Sequence, residues 1–308
     1  MRRRLADSLR HIWDRSNGCL DISEEKLQQF LSRLEHHTVP PLTFTYYFDA
    51  VLAIEDDDIE QASRLINEMI LIPAHPGGTS ILEFGDPRHD AVAQRYAQFI
   101  DTDPTFSFEI FPPSQRAVET CRAQIKGAFA LMEAGDPALA AEIRSLLREI
   151  ILAAGSDDKN AMTFDGASSF MLWGAIMINA NRNDGELEMV QMLAHESAHN
   201  LLFGLSADGE LVENSAEELF SSPLRKDPRP MDGIYHATFV TARMHRSIKT
   251  LVDSGTLSPS FREKALKDLE INTRLFKQGF ETVREHGRLS PLGNEVMQGA
   301  IKYMAPFV

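Results

Sequence analysis

Apolar residues recur at helical spacing through most of this chain. In "ISEEKLQQFLSRLEHH", residues 22–37, they stand at Ile22, Leu27, Phe30, Leu31 and Leu34, the stripe of an amphipathic helix. "VPP" at 39–41 ends it, because proline removes a donor and clashes with the turn before it. The same spacing predicts helices near 43–54 and 57–71, over 113–134 and 136–147, and over 215–221, 232–253, 258–284 and 291–304. Four short apolar runs read instead as strands: "ILEF" at 81–84, "FSFEIF" at 106–111, "EIILAA" at 149–154 and "SSFMLWGAIMIN" at 168–179. Ser168 and Ser169 read as turn residues ahead of the last and strongest strand. If the edge of that strand is open, an extended peptide can add to it as a further strand. After "ANRNDG" comes a helix with Asp184 as N-cap, Glu186 and Glu188 at its positive end, and Gly204 at its stop. "PAHPGGTS" at 73–80 is a loop and a subdomain boundary. The expected division is an N-terminal helical subdomain, 1–75, and a second domain, 76–308.

Composition adds little until the charge is counted. The 308 residues are 43% hydrophobic and 25% charged, with a formal net charge of −14. Such a balance argues against nucleic acid or an anionic membrane as the main partner. Cys19 and Cys121 stand in no C-x-x-C pattern, and two cysteines make no disulfide framework at this length, so a reducing cytoplasm is expected. "MRRRLADSLRHIW" begins basic, but Asp7 and Arg10 interrupt any apolar signal core. "FMLWGAIMINA", 170–180, is far shorter than a membrane span.

The chemistry is concentrated in "LAHESAHNLL", 193–202. His195 and His199 lie four apart, one turn above the other on one helical face, and can converge on a metal ion. Glu196 is rotated from His195 by about 100°. In metallopeptidases a glutamate in this place is the general base for metal-bound water. The apolar flanks bury this helix, and two unpartnered histidines on a buried face are costly. A catalytic ion needs a third ligand. The extension H-E-x-x-H-x-x-G-x-x-H fails, because Leu202 and Leu205 take the glycine and third histidine positions. Glu217, in "ENSAEELF", is a candidate on a following helix, whereas Ser215 and Glu218 fit a local capping box. His236 is another, set among Ile234, Phe239 and Val240. Asp232, one turn earlier, offers a carboxylate. Arg243 lies two turns beyond His236 on the same face. If the ion is iron(II), a 2-oxo acid can take two of its open positions and dioxygen a third. Arg243 is then placed to grip the far carboxylate of 2-oxoglutarate.

"LAHESAHNLLF" together with "SSPLRKDPRPMDGIYHATFVTARM", 221–244, resembles the 2-oxoglutarate-dependent H-E-x-x-H peptide β-hydroxylases that modify ribosomally made peptides. The likeness extends to "ASSFMLWGAIMIN", 167–179, and covers roughly residues 165–245. It implies iron(II) held by His195, His199 and His236, with 2-oxoglutarate and dioxygen as cosubstrates. The implied reaction hydroxylates a side-chain β-carbon of a precursor peptide. Glu196 then orients a ligand or substrate group. Arg225, Lys226 and Arg229, in "SSPLRKDPRP", form either a solvated basic loop or one at the site mouth that meets the cosubstrate, through Arg225 and Arg229, or an acidic peptide.

Two other readings remain open. One is a zinc metallopeptidase with Glu196 as base and Glu217 as third ligand. The other is a silent peptide-binding protein with a structural or lost metal site. The expected fold is α+β and mainly helical. A zincin-like metal helix lies under a small sheet, and a C-terminal helical layer closes the other side. The N-terminal helices are expected to recognise a leader peptide, directly or with a partner.

Overall fold

A computed structural model describes the chain except for residues 101–108, 157–163, 183–184 and 225–226. It is mainly helical with a small mixed sheet, an α+β fold. No helix among the described residues is long and apolar enough to cross a membrane. The residues form two compact units, Met1–Val118 with Leu147–Asn181, and Glu119–Leu146 with Arg182–Val308.

The first unit opens with four helices: α1 (Arg2–Ser16), α2 (Glu24–His36), α3 (Leu42–Glu55) and α4 (Ile59–Leu71). Ser23 and Asp58 cap α2 and α4 through their side chains, satisfying amide donors the first turn leaves open. Leu9, Leu27, Phe30, Leu34, Phe44 and Ile66 share one core. The periodicity seen in the sequence is therefore the packing stripe itself. The expected boundary after residue 75 falls inside this unit. The Phe44 and Trp173 rings meet edge to face at 5.7 Å, and α3 also packs on α5 (Asp90–Ile100).

The sheet comprises β1 (Ser80–Glu83), β2 (Ile110–Phe111), β3 (Glu149–Gly155), β4 (Gly166–Ala167) and β5 (Ala175–Asn179). β3 pairs in parallel with β1 and β5, and antiparallel with β2; β4 pairs antiparallel with β5. Every residue of β3 and β5 is buried, as expected of unbroken apolar runs in parallel strands. Of the strand expected over 106–111, residues 106–108 lie outside the described residues. The strand expected over 168–179 is shorter. Phe170–Leu172 form a 3-10 turn and Gly174 has φ +94°, a left-handed conformation that restarts the chain as β5. β5 is also flanked by β3 on one side and β4 on the other. Along Met177–Ile178 it offers no free edge for an added peptide strand.

The second unit contains α6 (Gln115–Gly135, its first residues in the other unit), α7 (Pro137–Leu146), α8 (Glu186–Leu205), α9 (Met231–Ser254), α10 (Pro259–His286) and α11 (Pro291–Met304). A short antiparallel pair, β6 (Leu219–Phe220) and β7 (Arg229–Pro230), precedes α9. Gly185 caps α8 with φ +111°; Asp184, the expected cap, lies outside the described residues. Glu188, in the first turn, pairs with Lys264 of α10. α9 is the hub and packs on α8, α10 and α11. A side chain at Gly279 of α10 would collide with Thr238 of α9, so glycine permits that close approach. Residues 215–221 are not a helix. Glu218 makes no capping box but turns to Arg288, 2.6 Å away, and to Asn214. Arg288 holds its carboxyl down at about 2.

Candidate metal centre

α8 and α9 bring the two halves of the sequence signature together. His199 lies between the other two histidines. Its Nε2 is 3.1 Å from Nε2 of His195, and its Nδ1 is 2.9 Å from Nδ1 of His236. The His199 and His236 rings stack at 5.2 Å, with Phe203 of α8 beside both. Nδ1 of His195 rests against Sδ of Met244 at 3.3 Å. Burial drives the His199 pKa well below the ordinary histidine value, and its two histidine neighbours push it the same way. Burial also lowers His236, opposed by the carboxylate of Asp232. Neutral imidazole is the form that binds metal.

Two donors each about 2.1 Å from one ion sit roughly 3.0–3.4 Å apart at angles of 90–110°. The His195–His199 nitrogen separation of 3.1 Å fits that bite. His236 does not complete the set in the present arrangement, because it faces the opposite nitrogen of His199. Among the described residues, no group of three or more His, Cys, Asp or Glu side chains is arranged to hold a metal ion. Two donors therefore fit, and the third ring lies in contact but is turned. Without an ion the same contacts form a hydrogen-bonded chain, with His199 donating from one nitrogen and accepting at the other.

The other candidates fall in different places. Glu196 is buried, 3% exposed, with Oε1 4.0 Å from Nε2 of His195. Asp232 is exposed, and its Oδ1 is 3.9 Å from Nε2 of His236, one turn along α9. Glu217 is exposed on a turn, not on a helix. Arg229 is half-buried in β7 and pairs with Asp227 at 2.8 Å; Arg225 and Lys226 lie outside the described residues. Arg243 is mostly buried and pairs with Glu142 of α7. Burial lowers its pKa to about 10, with Arg246 adding to the effect and Asp136 opposing it.

Glu142, Met244 and Phe203 were not singled out by sequence reasoning. Nothing local marks Glu142 as a partner of Arg243, because the two stand 101 residues apart. No family model matches the chain, and no curated protein matches it.

Proposed function

We propose that the chain is a non-haem iron(II), 2-oxoglutarate-dependent dioxygenase that hydroxylates a side-chain β-carbon of a ribosomally made precursor peptide. The observation that carries this reading is the meeting of His195, His199 and His236 on helices of which one also carries Arg243. His195 and His199 would hold the ion as a chelating pair, with His236 as third ligand. With 2-oxoglutarate and dioxygen, iron supplies the chemistry that places one oxygen atom into a C–H bond, leaving succinate and carbon dioxide. The chain's own part is positioning. Arg243 offers a guanidinium whose fork matches a carboxylate. It must first leave Glu142, or share it. Asp232, on the Nε2 side of His236, can fix the orientation of that ring, and buried Glu196, on the metal-facing side of His195, can orient a ligand or substrate group. Phe203 and Met244 limit water beside the rings. Arg229, Arg225, the leader-peptide role of the N-terminal helices and the zincin-like placement of α8 under a sheet belong to the same proposal.

The peptidase reading lacks its third ligand, since Glu217 is exposed on a turn. The deciding experiment supplies 2-oxoglutarate and air to anaerobically purified, iron(II)-loaded protein and measures succinate and bound iron. The expected result is succinate formation lost in His236→Ala and Arg243→Ala, with iron also lost in His236→Ala. Metal binding that survives His236→Ala but not Glu217→Ala would instead favour the peptidase.

A further inference from the structure

The face of α9 that carries Phe239, Arg243 and Arg246 borders a cavity of about 490 Å³, closed on the other side by α11. That volume suits a small organic ligand. Three features of its wall need a common explanation. The first is Arg246. Among the described residues it has no ion-pair partner, although acidic residues outnumber basic ones 45 to 31 in the chain. Its charge acts on its surroundings, lowering the pKa of neighbouring Arg243 and working against the rise at Tyr303. Arg243 is already held by Glu142. Glu295, the acid on the cavity wall, is exposed, so water screens it. The second feature is the apolar lining, with Leu205, Phe239, Leu292 and Val296. The third is Gly299, within α11. Glycine is a poor helix former, and here no close packing requires it: a Cβ at Gly299 would meet nothing within 4 Å. Gly299 is exposed and lines the cavity, so a larger side chain there has room to reach across its mouth.

We propose that this cavity binds a small organic acid, its carboxylate paired with Arg246 and its apolar body lying against Phe239, Leu292 and Val296 in the room left by Gly299. Arg243, offered above to 2-oxoglutarate, shares this wall, but the proposed anchor is Arg246 and no histidine takes part, so binding of the acid without metal is distinguishable from the metal reading. A partly buried guanidinium beside an apolar wall selects for this combination: the anion supplies a charge-assisted hydrogen bond, and the apolar body replaces water on the wall.

The test is a titration of the full chain with 4-phenylbutyrate and with its neutral amide, followed by saturation-transfer NMR. The acid is expected to bind at least about tenfold more tightly than the amide, the contribution of one hydrogen bond to a charged group. Arg246→Gln is expected to remove that preference. Gly299→Leu is expected to abolish binding of both compounds while thermal unfolding stays at or above the unmodified value, because leucine is the better helix former. Equal binding of acid and amide would overturn the proposal. So would variants that bind like the unmodified chain, or no binding of the acid up to about 10 mM, beyond the range of specific recognition.

Discussion

Each unit packs titratable side chains together, and the two do it in opposite ways. In the first, Glu149 at the start of β3 is 8% exposed and accepts a 2.6 Å hydrogen bond from the Tyr96 hydroxyl, with His75 3.9 Å from its other oxygen. Acid and phenol complement one another as acceptor and donor, and the imidazole beside them accepts from the Gly77 amide. In the second, three imidazoles meet, each offering what the others offer. A complementary cluster is explained by the fold it supports. A cluster of like groups gains little from itself beyond a hydrogen-bonded chain, and its members are those that a divalent ion recruits. This contrast is what separates a structural polar core from a candidate site.

The sharpest way to break the contrast is to remove one member from each cluster. His199→Ala is expected to lower zinc(II) or iron(II) affinity by more than about 100-fold, beyond the loss usual for groups that only support a ligand. Calorimetric titration of the metal checks this. Tyr96→Phe is expected to leave metal affinity unchanged and to cost about 1–3 kcal/mol of stability, the penalty for stripping a donor from a buried carboxylate, as read by urea unfolding. Metal affinity that follows Tyr96 rather than His199 would erase the distinction.

A smaller effect separates the units by pH. Burial raises the Glu149 pKa above 4.5. The folded chain then keeps a proton that the unfolded chain has released, and stability falls as pH rises through that window. His245 in α9 is the reverse case, with burial pulling its pKa from 6.5 to about 4. There the unfolded chain binds the proton first, so stability falls as pH drops from 6.5 towards 4. Unfolding curves of Glu149→Gln and His245→Phe against the unmodified chain should show these opposite slopes. Slopes of the same sign would contradict the burial argument.

Much of the helical fold was legible because a packing stripe is written in sequence: Leu27, Phe30, Leu31 and Leu34 face the core that their spacing predicts. Local chemistry misled where a distant partner intervened. "SAEE" has the letters of a capping box, yet Arg288, seventy residues on, takes Glu218. "SSFMLWG" is apolar enough for a strand, yet a 3-10 turn and the left-handed Gly174 interrupt it. α5 went unremarked, its stripe of Ala93, Tyr96 and Phe99 being short. At the candidate site, the two histidines on α8 were readable from helical geometry alone. His236 was one of several options until the resemblance singled it out, and the structure sets its ring against His199. The pairing of Arg243 with Glu142 had no local signal, since it depends on how α7 packs near α9.

His195, His199 and His236 are proposed to hold one metal ion together. X-ray absorption of the iron(II)-loaded chain, with and without His236→Ala, tests it most directly. Scattering from three imidazole ligands is expected, falling to two in the variant. A metal shell that His236→Ala leaves unchanged, or one with a carboxylate in place of the third imidazole, would contradict it.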